Sequence, residues 1–106
     1  VIIRTEIEPT RRLVHLVGRF DAHECPGFRS AVTPLVTAEA NVIHIDLSQV
    51  AFVDSTALAE LVRLQKAARA LDGEVILADP SDPVRVILEI TALAEMFTII
   101  DTTGAP

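Results

Sequence analysis

Val42-Ile43-His44-Ile45-Asp46-Leu47-Ser48-Gln49-Val50-Ala51-Phe52-Val53-Asp54-Ser55-Thr56-Ala57-Leu58 carries the strongest structural signal in this chain. Residues 42–47 are apolar except for His44 and Asp46 and are bounded by Asn41 and Ser48, which predicts a buried strand. A short apolar turn over 50–53 leads to Asp54-Ser55-Thr56, and from there Ala57, Leu61, Leu64, Ala68 and Leu71 recur at spacings of four and three. That stripe, widened by Leu58 and Val62, is the buried side of an amphipathic helix over 54–71. Glu60, Arg63, Lys66 and Arg69 are expected on its solvated face, with weak pairs at helical spacing, and Asp72-Gly73 is a stop signal.

With Asp54 as N-cap, its carboxylate accepts from a free N–H of the first turn, and Ser55 becomes the first helical residue. Its hydroxyl then lies at the positive end of the helix dipole, where an anion is tolerated. A phosphoryl group on Ser55 would add about −1.5 to −2 charges. It would be attracted by the helix end and repelled by Asp54, a balance suited to a switch read by a partner. Taken alone, the three residues also read as an ordinary helix start. Thr56 is the lesser phosphate acceptor, because a threonine in a first turn more often bonds the local backbone.

Outward from this segment, residues 1–8 alternate with Ile3, Thr5 and Ile7 on one side, which predicts a half-buried strand. A polar break at 9–12 and a second strand over 13–17 predict an antiparallel hairpin that ends at Gly18-Arg19-Phe20-Asp21. Phe28, Val32, Leu35 and Val36 sit near helical spacing within 22–37, where Pro26 fits the first turn and Pro34 ends or kinks the helix. Residues 74–78 predict a buried strand. Asp82-Pro83 reads as an N-cap followed by proline at the first helical position, with Val84, Ile87, Leu88 and Leu93 lining the helix. Residues 97–100 form a last extended run, and 101–106 a flexible polar tail. The expected fold class is α/β: one domain over 1–106, with a mixed sheet of four to five strands and helices packed against it.

Composition narrows the function. A chain of 106 residues holds one core, and with four aromatic residues, none of them Trp or Tyr, that core is aliphatic. Nine basic against fifteen acidic residues give a net charge of −6, which repels nucleic acid. No apolar run nears the roughly 20 residues that span a bilayer, so membrane insertion is not expected. Cys25 is the single cysteine, which permits no internal disulfide; the cytoplasm is the expected compartment and a small buried thiol the expected role. His15, His23 and His44 are far apart and imply no metal site. The four glycines are isolated, so no phosphate-cradling loop or cofactor is implied. No base, oxyanion hole or triad context surrounds Ser55, and an enzyme is not expected.

The quoted stretch closely resembles the central motif of the STAS domain, the fold of bacterial anti-sigma factor antagonists. In that family an aliphatic strand ends in Asp-Leu, and Asp-Ser-Ser or Asp-Ser-Thr followed by Gly-Leu begins a helix. Gly18-Arg19-Phe20-Asp21 resembles the family's Gly-Glu-Leu-Asp, and Gly73-Glu74-Val75-Ile76-Leu77, Asp82-Pro83-Val84-Arg85 and Phe97-Thr98-Ile99-Ile100 follow its later segments in order. The resemblance implies a cytoplasmic protein that binds a kinase-type anti-sigma factor when unphosphorylated and thereby frees a sigma factor. Phosphorylation of the serine after the Asp, here Ser55, releases it, and a serine phosphatase reverses this. Asp21, Asp54, Thr56 and Ala57 are the expected partner-contacting residues, Asp21 serving equally well as a cap through the N–H groups of His23 or Glu24. Ala57 and Ala59 stand where the family usually has Gly, each favouring the helix by roughly 1 kcal/mol, with the Ala57 methyl placed where a partner's backbone would approach. The alternative implied by the same family is an unphosphorylated STAS subunit of a transporter or stress-signalling assembly.

Overall fold

The computed structural model describes residues 1–102; of the tail expected over 101–106, residues 103–106 lie outside the described residues. In chain order the elements are β1 (Ile2–Ile7), β2 (Arg11–Phe20), α1 (Cys25–Val32), a 3-10 turn (Thr33–Leu35), β3 (Val42–Val53), α2 (Ser55–Arg69), β4 (Glu74–Ala78), α3 (Asp82–Ile90), a second 3-10 turn (Leu93–Met96) and β5 (Thr98–Ile100). The sheet order is β1-β2-β3-β4-β5, with β1 antiparallel to β2 and the remaining neighbours parallel. The α/β class and the mixed sheet are as the sequence predicts.

Each step from β2 to β5 is a strand-helix-strand crossover in the same direction across the sheet. Right-handed crossovers of that kind bring every helix to one face, and burial agrees. Val14, Leu16, Phe20, Ile43, Ile45, Leu47, Val75 and Leu77 are buried in one core with Phe28 and Val32 of α1, Leu61, Leu64 and Ala68 of α2, and Val84 and Leu88 of α3. The alternate strand residues Leu13, His15, His44, Asp46 and Ile76 are half-buried on the opposite face. The molecule is thus two layers, helices over sheet. Among the described residues no helix is long and apolar enough to cross a membrane.

Five local expectations are corrected. The apolar turn at 50–53 is strand: β3 continues to Val53, pairing Gly18 with Val50 and Phe20 with Val53. Register shifts opposite His15/Val17 and Gly18/Arg19 insert extra β3 residues, so Leu47, Val50 and Val53 all face inward at a spacing of three. Glu60 is not on the solvated face but only 4% exposed. Leu71 falls past the end of α2 and is 38% exposed, because the chain turns there through Asp72 at φ 63° and Gly73 N–H bonds Ala68 O at 2.9 Å. The N-cap of α3 is Ser81, with Asp82 the first helical residue and Pro83 the second; the Ser81 hydroxyl donates to Val50 O at 2.6 Å. Helix α1 is also shorter than the 22–37 window, since residues before Cys25 form a turn and Pro34 lies in the 3-10 segment.

Candidate functional site

β2 and β3 run parallel and end side by side, Phe20 opposite Val53. Asp21 and Asp54 are therefore delivered to the same edge of the sheet, at the carboxyl ends of the strands where open α/β sheets present their sites. Asp54 has the extended backbone of an N-cap, φ −107° and ψ 177°, and its Oδ1 accepts the Ala57 N–H at 2.8 Å. Its Oδ2 accepts the Ala22 N–H at 2.9 Å, from the turn that follows β2. One carboxylate thus ties the start of α2 to the 21–24 loop. These N–H donors, Ala57 first and against a smaller opposing effect of burial, hold the Asp54 carboxyl below the usual carboxylate range.

Ser55 and Thr56 follow as the first two residues of α2, and both are exposed. Among the described residues no side chain bonds Ser55 Oγ; it is an accessible hydroxyl at a helix N-terminus. Asp21 Oδ1 accepts the His23 N–H at 3.1 Å, the local cap the sequence suggests, while Oδ2 faces Arg19 Nε at 3.8 Å. Ala57 differs from the other expected partner residues. It is fully buried, its methyl pointing into the core beneath the first turn.

Two surface residues beside the site are not legible as such in the sequence. Phe52, 38% exposed, lies next to Asp54, and the Arg19 guanidinium sits 4.2 Å over its ring. The signal was an aromatic residue just before the Asp-Ser step, masked by reading 50–53 as a buried turn. On the other flank, Ser55, Ala59, Val62, Arg63, Lys66 and Leu93 line a groove of about 430 Å³ that runs along α2.

Glu60 braces this helix from below. Its carboxylate receives Arg29 Nε and Nη2 at 3.1 and 2.7 Å from α1, and Arg63 Nε and Nη2 at 3.1 and 2.7 Å from the next turn. Arg63 Nη2 also reaches Thr33 Oγ1 at 2.7 Å. The Arg29 hydrogen bonds outweigh burial and bring the Glu60 pKa from 4.5 to about 2. Cys25, buried at the first position of α1, donates its thiol to Asp21 O at 3.4 Å, and burial pushes that thiol's pKa up. The histidines do not converge: His23 is in the 21–24 loop, while His15 and His44 lie on the helix-free face of the sheet.

The STAS domain family model matches residues 3–105. The anti-sigma-B factor antagonist of Listeria monocytogenes is 31% identical over 86% of this chain and 80% of its own length. Among solved structures, the unphosphorylated anti-sigma factor antagonist SpoIIAA superposes with a TM-score of 0.83 at 20% identity, over 97% of this chain and 90% of its own. The phosphorylated form of SpoIIAA, a Bacillus cell fate determinant, gives 0.77 at 19% identity over 97% and 93%. At those identities the structures speak to the fold.

Proposed function

This chain belongs to the STAS domain family, and from that premise we propose that it is an anti-sigma factor antagonist switched by phosphorylation of Ser55. The observation that carries the proposal is the exposed Ser55 hydroxyl, directly after the N-cap Asp54 and at the start of α2, in a chain 31% identical to an anti-sigma-B factor antagonist. Unphosphorylated, the protein docks a kinase-type anti-sigma factor on the edge formed by Asp21, Asp54, Ser55 and Thr56, with Ala57 supporting that edge from inside the fold. In the complex the kinase transfers the γ-phosphoryl of ATP. Ser55 Oγ forms the new P–O bond as the bond to ADP breaks, and the hydroxyl proton passes to a base of the kinase. The added charge then lies beside Asp54 and Asp21, and like-charge repulsion together with desolvation opposes redocking. A serine phosphatase restores the binding form.

In this scheme the chain is a substrate and a ligand, not an enzyme, and it works in the cytoplasm where ATP and the kinase are found. Its −6 net charge supports action on sigma-dependent transcription through protein contacts instead of nucleic acid. The test is incubation with a kinase-type anti-sigma factor and ATP, followed by mass spectrometry of the modified chain. Phosphate on Ser55, abolished by Ser55→Ala and accompanied by loss of the complex, is expected. A stable complex with no modification at Ser55 or Thr56 refutes the switch.

A further inference from the structure

We propose that Asp54 is a positioning residue that couples the charge state of Ser55 to the conformation of the 21–24 loop. The inference rests on the reading of Ser55 as the phosphorylated residue and concerns how that modification is transmitted. Its basis is the division of one carboxylate between two elements: Oδ1 on the Ala57 N–H inside α2, Oδ2 on the Ala22 N–H in the loop.

The loop's other polar bonds do not reach α2: Val1 N pairs with Glu24 Oε1 at 3.1 Å, Arg19 Nε faces Asp21 Oδ2 at 3.8 Å, Phe28 N–H bonds Glu24 O at 3.0 Å, and the rest lie within the turn. Glu24 N–H bonds Asp21 O at 2.9 Å, His23 N–H bonds Asp21 Oδ1 at 3.1 Å, and Cys25 N–H bonds Ala22 O at 3.4 Å. These close the turn on itself without fixing it to α2. Asp54 supplies that attachment, through its Oδ2 to the N–H of Ala22, the residue after Asp21.

A phosphoryl group on Ser55 enters the field of the same helix N-terminus that Asp54 already occupies. The first turn offers few free donors, and Asp54 holds the one at Ala57. Two adjacent anions then share one helix end, and the dianion is the stronger competitor for its N–H groups. As Asp54 turns away from the phosphate, its Oδ2 leaves the Ala22 N–H, and the loop carrying Asp21 loosens. Modification is thereby felt on both sides of the docking edge instead of only at the serine.

The test uses the full chain with phosphoserine encoded at position 55, so that no kinase is needed and a failure here is distinct from failure of a kinase to recognise Ser55. Amide hydrogen exchange is followed by NMR. A hydrogen bond to a charged acceptor is worth roughly a ten- to hundredfold change in an opening equilibrium. The Ala22 amide should therefore exchange at least tenfold faster in the phosphoserine protein, with core amides such as Ile45 and Leu77 unchanged. In Asp54→Asn and Asp54→Ser backgrounds, whose core amides report that the fold is intact, phosphoserine should alter Ala22 exchange by less than twofold. A residue that merely capped α2 would not confer this dependence. Equal Ala22 exchange with serine and phosphoserine overturns the coupling, and so does an undiminished phosphoserine effect in both Asp54 variants.

Discussion

Replacing Glu60 with Gln removes one charge and keeps the shape of the side chain, and its cost can be worked from the structure. The carboxylate is 4% exposed and is held by Arg29 and Arg63. A fall in pKa from 4.5 to about 2 corresponds to about 3 kcal/mol at ~1.4 kcal/mol per tenfold. The two arginines are partly exposed and regain water when the carboxylate is lost, so the variant should be destabilised by about 2 kcal/mol, less than for a fully buried pair. The sign follows from a pKa depressed by folding. The stabilisation is complete above the unfolded value of 4.5 and disappears as pH falls towards about 2. Urea unfolding of both proteins at pH 7, 4 and 2.5 should thus show a gap that is widest at pH 7 and has largely closed at pH 2.5. A gap that stays constant over this range would refute the assignment of Glu60 as the charged brace between α1 and α2.

Gly73→Ala should be severely destabilising, by roughly 3 kcal/mol or more, because an added Cβ falls 1.9 Å from Asn41 O and 2.5 Å from Asn41 C, both backbone atoms. Gly27→Ala, in α1 with nothing within 4 Å of the new methyl, should instead be neutral or stabilising by up to about 1 kcal/mol, so thermal unfolding of the pair separates a packing glycine from a tolerated one. Gln65→Leu should cost about 1–3 kcal/mol in urea unfolding, since the buried amide accepts from the Val75 N–H at 2.6 Å and donates to Met96 O at 2.7 Å, and leucine leaves the Val75 N–H unpaired and Met96 O with only the Arg69 guanidinium at 3.3 Å. His15 bridges Asp46 at 2.9 Å and Glu6 at 2.7 Å, and these two hydrogen bonds, Asp46 first, raise its pKa above 6.5. Its contribution, on the order of 1 kcal/mol, is therefore full below pH 6.5 and lost as pH rises through the folded value, so the stability gap to His15→Gln should shrink between pH 6 and pH 9.

The parts of this fold that were legible in the sequence are those where one periodicity holds throughout an element. The α2 stripe of Ala57, Leu61, Leu64 and Ala68 is buried as its spacing demands, and β4 lies where its apolar run places it. The parts that were not legible depend on partners distant in sequence. β3 beyond Leu47 looks like a turn because its bulges break the alternation, and those bulges exist only in register with Gly18 and Arg19 of β2. Glu60 carries the signature of a solvated helix face, and the arrival of Arg29 from 31 residues away, added to Arg63 one turn on, makes its burial tolerable. Gln65 is buried for the same kind of reason, since its two backbone partners belong to strand β4 and the turn before β5. At the site, Asp54 and Ser55 are readable because an N-cap is a local device. The Ala22 bond and the Arg19–Phe52 pair are not, because they depend on where β2 ends against β3.

Ala57 shows why placement changes the meaning of a sequence difference. From the resemblance alone, its methyl stands where a partner's backbone would approach. In the fold that methyl is fully buried, and the same residue's N–H is the one held by Asp54 Oδ1. Relative to glycine, alanine favours the helical conformation by roughly 1 kcal/mol, and here it does so at the residue that the N-cap grips. The substitution therefore acts on the rigidity of the first turn of α2, and through it on how firmly Ser55 and Thr56 are presented. It leaves the surface itself unaltered. In the coupling proposed above, a stiffer first turn gives Asp54 less freedom to release Ala57, so the bond that a phosphate on Ser55 would displace is the one to Ala22 in the loop.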